Sequence, residues 1–182
     1  MTTYRSEGIV LKRVNFGEAD KIVTVYSKHF GKITLLAKGI RKMTSRKRGN
    51  LELFNQLIIF AVKGKTFDIV TETELIESFS LWRSDLQKIA IAYQLCELVD
   101  KLTPEESDQS EVYDLLLEYL QKLGSLSFQK QSSFLGSFGL KLVKLLGYWP
   151  KDKPIPKNFK TSFFVEEIIE KELKAKNFLA KV

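Results

Sequence analysis

The sequence predicts an α+β protein: a small basic β-barrel at the N-terminus, followed by a domain built only of helices. Three observations carry that reading. Apolar and polar residues alternate with period two through the first 79 residues, and after Phe79 the apolar spacing changes to three and four. Charge changes sign along the chain: residues 1–65 hold 14 Lys and Arg against 4 Asp and Glu, and the remainder holds 15 against 18. The boundary is therefore placed at 79/80, giving domains 1–79 and 80–182.

Each barrel element follows from its pattern. Glu7–Val14 reads as a first strand, and Lys21–Ser27 as a second, with Ile22, Thr24 and Tyr26 on one face and Val23 and Val25 on the other. A turn at His29-Phe30-Gly31-Lys32 leads into a third strand, Lys32–Gly39. Leu51–Val62 is a long β-rich run, expected to be bent or bulged, and Gly64-Lys65 reads as a tight hairpin turn. Thr66–Phe79 is the last strand, with Phe67, Ile69, Thr71 and Thr73 at period two. Five short strands in about 80 residues suit a five-stranded OB-fold barrel, and an SH3-like barrel is the nearest competitor.

The helical part starts with one apolar stripe: Trp82, Leu86, Ile89, Tyr93, Cys96, Val99 and Leu102. Ser84 and Gln87 are placed as a capping box at its start. A second helix is expected from Ser110, with Val112, Leu115, Leu116, Tyr119 and Leu123 inward and Gly124 as its stop. The third runs from Gln129 to Leu146, with Phe134, Phe138, Leu142 and Leu145 inward, and ends at Gly147. Lys151–Asn158 reads as a Pro/Lys linker. A last amphipathic helix, Ser162–Lys181, places Glu166, Glu167 and Glu170 early and Lys174, Lys176 and Lys181 late, the order a helix dipole favours.

Composition narrows the function classes. No apolar run reaches the roughly 18–20 residues a membrane span needs, and the N-terminus lacks the features of a signal peptide, so the expected location is the cytoplasm. The single cysteine, Cys96, sits on an apolar helical stripe, and the single histidine, His29, sits in a turn. Neither offers a catalytic triad or a metal site, and no phosphate-loop or dinucleotide glycine motif occurs. Glu18 and Asp20 are close in sequence but lack further ligands, and Glu105, Glu106 and Asp108 read as a solvated acidic turn. No enzyme, cofactor or metal is expected.

The stretch Lys38–Asn50 is what remains to explain. It holds Lys38, Arg41, Lys42, Arg46, Lys47 and Arg48 and no acid. A run of like charge is ordinarily a solvated loop. Three features favour an anionic partner instead. The loop is long for a strand connection. Its arginines match phosphate oxygens in a forked geometry. The rest of the barrel is cationic too, with Arg13 and Lys32 among the contributors, so self-repulsion acts against the fold. Nucleic acid held through phosphates is the leading expectation, with Tyr4, Phe16, Tyr26, Phe30, Phe54 and Phe67 as aromatics for stacking, most of them expected in the core and Phe30 the best placed for exposure.

The same residues resemble a known family. Gly8-Ile9-Val10-Leu11, Glu18-Ala19-Asp20, Tyr26-Ser27, Gly31-Lys32, Ala37-Lys38-Gly39, Arg41-Lys42, Ser45-Arg46, Leu51 through Phe54, Gly64 and Glu74-Leu75 are similar to the N-terminal domain of RecO, a bacterial recombination mediator. Phe138–Pro150 is similar to that family's helix ending in leucines and a Gly-Tyr-x-Pro turn. The resemblance covers residues 1–150. It implies an OB-fold and a helical domain, binding of single- and double-stranded DNA, annealing of complementary strands, and work with RecR and the C-terminal tail of the single-stranded-DNA-binding protein to load RecA. On it, the DNA-binding residues are Lys38, Arg41, Lys42, Arg46, Lys47, Arg48, Arg13 and Lys32. An acidic tail ending in an apolar residue suits Lys141, Lys144, Leu145 and Tyr148.

Two departures qualify the resemblance. Many members carry four zinc-binding cysteines after the Gly-Tyr-x-Pro turn, and here that region holds none, so zinc is not expected. The chain is also short, the loss falling after Pro150. Two other readings stay open: a protein–protein adaptor whose basic loop meets acidic tails, and an RNA-binding OB-fold protein.

Overall fold

A long first strand, β1 (Thr3–Phe16), serves two neighbours and so closes the barrel. Its first half pairs antiparallel with β4 (Gln56–Val62), and from Gly8 onward it pairs with β2 (Asp20–Ser27). A bulge between Val10 and Lys12 bends the strand where it changes partner. β2 pairs with β3 (Gly31–Ala37), β3 runs parallel to β5 (Asp68–Glu77), and β5 returns to β4. The closed order β1-β2-β3-β5-β4 is that of an OB-fold, which decides against the SH3-like alternative.

The computed structural model describes residues 2–43, 45, 47–107, 109–150, 152, 154 and 161–169. They form two compact units: residues 1–79 with 104–113, and residues 80–103 with 114–182. Among the described residues no helix is long and apolar enough to cross a membrane.

The barrel core is the inward set of alternate strand positions: Val10, Val23, Val25, Ile33, Leu35, Leu57, Ile59 and Val70, with Ile40 and Leu51 closing one end. Burying each such side chain is worth about 1.5–3 kcal/mol. Leu51–Asn55 is not strand, contrary to the expected long run. Lys47–Asn50 forms a short helix, α1, and Asn55 Nδ2 donates to the Gly49 and Asn50 carbonyls at 3.0 and 2.9 Å. That cap holds the chain in a turn, with Phe54 at φ 71°, before β4 begins. The expected period-two face of the last strand also shifts. Phe60 pairs with Glu72 and Ala61 with Val70, so Thr71 is bulged out, and Val70 and Thr73 are the buried pair.

Residues 104–113 belong to the barrel's unit. Glu105 forms an isolated parallel β-bridge with Lys32 through the backbone, and the Glu106 N–H donates to the Lys32 carbonyl, on the part of β3 that precedes its pairing with β5. Tyr113 donates to Glu7 Oε1 at 2.6 Å, and Gln56 Nε2 donates to the same oxygen at 2.7 Å. Burial works to raise the Glu7 pKa. The bonds from Tyr113 and Gln56, with Lys28 and His29 nearby, outweigh it and hold the carboxyl below its ordinary 4.5. A carboxyl lowered on folding adds stability above its ordinary pKa, and loses it as pH falls through the folded value. Tyr113→Phe is therefore expected to cost about 1.5 kcal/mol at neutral pH in urea unfolding. The deficit shrinks as pH falls below the ordinary 4.5 and Glu7 takes up its proton. A deficit that ignores pH contradicts a bond to the charged carboxylate.

In the helical unit, a 3-10 turn at Ser80–Trp82 leads to α2 (Leu86–Leu102). Asp85, not Ser84, caps it: the carboxylate accepts from the Gln87 and Lys88 N–H groups at 3.0 and 3.3 Å, where a negative charge also suits the dipole. α2 is buried over a broad face, Ala90, Ile91, Ala92, Leu95, Cys96, Leu98, Val99 and Leu102, whereas Leu86 and Tyr93 of the expected stripe are exposed. α3 (Ser110–Lys122) buries the expected Val112, Leu115, Leu116 and Tyr119, and the Leu123–Ser125 3-10 turn buries Leu123. The first turn of α3, up to Tyr113, belongs to the barrel's unit and the rest to the helical one. After a further 3-10 turn, Phe128–Lys130, α4 (Gln131–Leu145) packs on α2. It buries Phe138 and Leu142 but leaves Leu145 exposed. Its end is a Schellman motif: the Tyr148 N–H donates to the Val143 carbonyl and the Gly147 N–H to that of Lys144. α5 (Thr161–Ile169) holds Glu166 and Glu167. The expected linker, apart from Asp152 and Pro154, and the helix beyond Ile169, with Glu170, Lys174, Lys176 and Lys181, lie outside the described residues.

Candidate nucleic-acid interface

Antiparallel register decides which cations meet. Arg13, Asn15 and Lys21 share the inward face of the β1–β2 hairpin, Asn15 lying opposite Lys21. Next to the hairpin's turn that face no longer reaches the core, so it forms the rim of the barrel. The chain leaving β3 is laced to this rim. The Gly39 N–H donates to Asp20 Oδ1 at 2.7 Å, the Arg41 N–H to the Ala19 carbonyl, and Arg41 Nη1 to the Gly17 carbonyl at 3.2 Å. Buried Ile40 and Leu51 anchor the two ends of the basic loop, and α1 presents Arg48 between them.

The result is a depression of about 420 Å³ lined by Arg13, Asn15, Lys21, Ile40, Arg41, Arg48 and Glu52. Among the described residues its one carboxylate, Glu52, is taken up by Arg13 Nη2 at 2.6 Å, and Arg13 Nη1 donates to the Leu51 carbonyl. Arg13 Nε is buried and has no hydrogen-bond partner among the described residues. Lys21 is held below its ordinary pKa by burial first, then by Arg13, with Arg41 and Arg48 adding to it and Glu52 pulling the other way. Four cations around one occupied carboxylate repel one another, and an anion in the depression relieves them.

The expected site residues divide. Arg13, Arg41 and Arg48 line the depression, and Lys38 and Lys42 stand exposed in the same loop. Lys47 does not join them: its Nζ donates to the Val70 carbonyl at 3.0 Å, and burial lowers its pKa. Lys32 lies at the start of β3, about 20 Å of strand from Lys38, beside Glu105. Arg46 lies outside the described residues. Lys21 and Asn15 were not foreseen at the site; they become legible once the hairpin register puts them two residues along the face from Arg13. Of the aromatics, Tyr26 and Phe54 are buried, Tyr4 and Phe67 are half-buried, and Phe16 and Phe30 are 46% and 41% exposed. In the helical unit, Lys141, the adjacent pair Lys144 and Leu145, and Tyr148 lie three or four residues apart at the end of α4 and just beyond it. Leu145 and Tyr148 are exposed, and Lys141 lies over the Tyr119 ring at 5.3 Å.

The family model for the N-terminal part of recombination protein O matches residues 1–79, and that for its C-terminal part matches residues 83–151. The chain belongs to the RecO family. Among curated RecO relatives, the DNA repair protein RecO of Pelotomaculum thermopropionicum is 37% identical over 150 residues, 82% of this chain and 57% of the relative. That of a Roseiflexus species is 34% identical over 148 residues, 81% and 51%. That of Gloeothece citriformis is 42% identical over 123 residues, 66% and 43%. The chain thus spans about half the length of the curated RecO proteins it matches.

Proposed function

We propose that this RecO-family chain is a DNA repair and recombination mediator whose barrel binds single- and double-stranded DNA and anneals complementary strands, without catalysing a covalent reaction. The observation that carries the reading is the convergence of Arg13, Lys21, Arg41 and Arg48 on one depression with a single, occupied carboxylate. Contacts of this kind grip phosphates and leave base edges free. Two strands neutralised in this way pair faster because their mutual repulsion is reduced. The helical domain meets protein partners in this reading: RecR, and the acidic, apolar-ended tail of the single-stranded-DNA-binding protein. Lys141 and Lys144 beside exposed Leu145 and Tyr148 suit such a tail, and RecA is loaded on the strand so cleared.

An annealing assay tests it. Complementary labelled DNA strands are expected to pair faster with the protein, and the acceleration is lost in the Arg41→Ala, Lys42→Ala, Arg48→Ala variant. Wild-type protein that leaves DNA annealing unchanged and prefers single-stranded RNA favours the RNA-binding reading. Protein that binds acidic peptides and neither nucleic acid favours the adaptor.

A further inference from the structure

Besides the rim, the barrel has an outer face on β1–β2–β3, and register fixes its members. Val14, Ile22 and Leu36 form one row across the three strands, and Lys12, Thr24 and Thr34 form the next. Phe16 follows Val14 at the C-terminal end of β1, beside the turn, and Tyr26 with Lys32 lies at the far end. Residues 104–113 cover only the far half. Thr34 Oγ1 donates to Glu105 Oε1 at 3.0 Å, Tyr26 OH donates to the Gln109 carbonyl at 3.3 Å, and Tyr26 is fully buried.

The near half is left open. Val14 is 49% and Phe16 46% exposed, with Ile22 and Leu36 half-buried between them. The Phe67 ring meets Phe16 edge-on, with centroids 6.4 Å apart. An edge-on pair does not cover both rings face to face, so π-surface remains for a third flat group. The charge around this patch is positive: Lys12 and Lys38 are exposed, and Arg41 is held against Gly17 on the neighbouring turn. The nearby carboxylates are Glu18, which is exposed, and Asp20, which is half-buried and engaged by the Gly39 N–H.

An apolar, aromatic patch rimmed by cations matches an unpaired nucleic-acid strand, which offers flat bases and a charged backbone together. We infer that Phe16 and Phe67 are a stacking platform for bases of a single strand, with its phosphates along Lys12, Lys38 and Arg41. Residues 104–113 close the path across the far half: they occupy the surface, and Glu105 and Glu106 repel phosphate there. The footprint on the outer face is short, and the strand turns toward the rim depression. Stacking uses base faces and leaves pairing edges outward, which suits annealing. A duplex keeps its bases stacked inside and gains nothing from Phe16. The inference rests on the nucleic-acid reading of the barrel.

Anisotropy titrations with oligo-dT and with a duplex test it, on the full chain and with folding checked by circular dichroism. Phe16→Ala is expected to bind oligo-dT about tenfold more weakly, since one lost stacking contact is worth about that factor. Its duplex affinity and salt dependence stay at the wild-type values, and Phe16→Tyr restores oligo-dT binding. Phe16→Trp reports directly, its emission being quenched by oligo-dT. Phe16→Leu binding oligo-dT as tightly as wild type overturns stacking in favour of plain apolar contact. An undiminished Phe16→Ala beside a weakened Arg41→Ala, Lys42→Ala, Arg48→Ala variant overturns the platform and leaves the phosphate reading standing. Both variants matching wild type overturns the two together. Should Phe16→Ala fail to fold, quenching in Phe16→Trp decides alone.

Discussion

Replacing Gly31 by alanine is expected to destabilise the barrel by about 3 kcal/mol, the sum of a left-handed backbone penalty of about 1 kcal/mol and a core overlap of about 2. Gly31 stands at φ +63°, where the β2–β3 turn enters β3. A Cβ there would lie 1.9 Å from the Ser107 carbonyl oxygen and 2.7 Å from its carbon. Both atoms are backbone, so no rotamer change relieves the overlap, and residues 104–113 must move off β3. Gly17 supplies the control. It has φ +58° with nothing within 4 Å of its would-be Cβ, so Gly17→Ala loses only the backbone part, about 1 kcal/mol. Urea unfolding followed by circular dichroism measures both. Equal losses at the two sites would mean that Ser107 does not lie against Gly31.

The second large effect is on binding. Arg41→Ala, Lys42→Ala, Arg48→Ala is expected to weaken oligo-dT binding about 100-fold at about 0.1 M salt, since each lost phosphate contact on a single strand removes about 0.7 of a decade there. The choice of residues follows from their surroundings. Lys42 and Arg48 are exposed, and the Arg41 side chain makes one surface bond, to Gly17. Arg13 is left in place because it ties β1 to Leu51 and Glu52, so its removal would damage the rim as well. Lys47 is left because its ammonium is spent on the Val70 carbonyl. A loss of less than threefold would remove the loop from the interface.

How far these features could be read from sequence depends on how local their causes are. The five strands show in the alternation because every second side chain must enter one core. The helical half shows because spacing of three and four marks a buried helical face. Features set by particular side-chain bonds, bulges or distant partners did not show. The turn at Leu51–Asn55 depends on Asn55 capping α1, and on Asn50 donating to the Thr73 carbonyl. The shifted face of β5 depends on a bulge opposite Phe60 and Ala61. The contacts of residues 104–113 with the barrel join positions far apart in the chain, 71 apart for Thr34 with Glu105. The cap at Asp85 was within reach, one residue from the Ser84 assigned to it, and a charged acceptor is the stronger choice.

The site divides in the same way. The basic loop was legible as charge without acid, a property of composition. Which cations converge is a matter of register and cannot be counted from a string: Lys21 enters because it faces Asn15 across the hairpin, and Lys32 stays apart because β3 separates it from the loop. Likewise, the list of barrel aromatics gave no sign that Phe16 and Phe67 would meet while Tyr26 lay buried beneath Gln109.

The most direct test of the central claim is the salt dependence of oligo-dT binding, measured by anisotropy for the wild type and for Arg41→Ala, Lys42→Ala, Arg48→Ala. If the rim and loop neutralise about four phosphates, the wild-type log–log slope is near about −3, and loss of three contacts brings the variant near about −1. Parallel lines of equal slope from two folded proteins would contradict the claim, because the cations gathered at the barrel rim would then carry no phosphates.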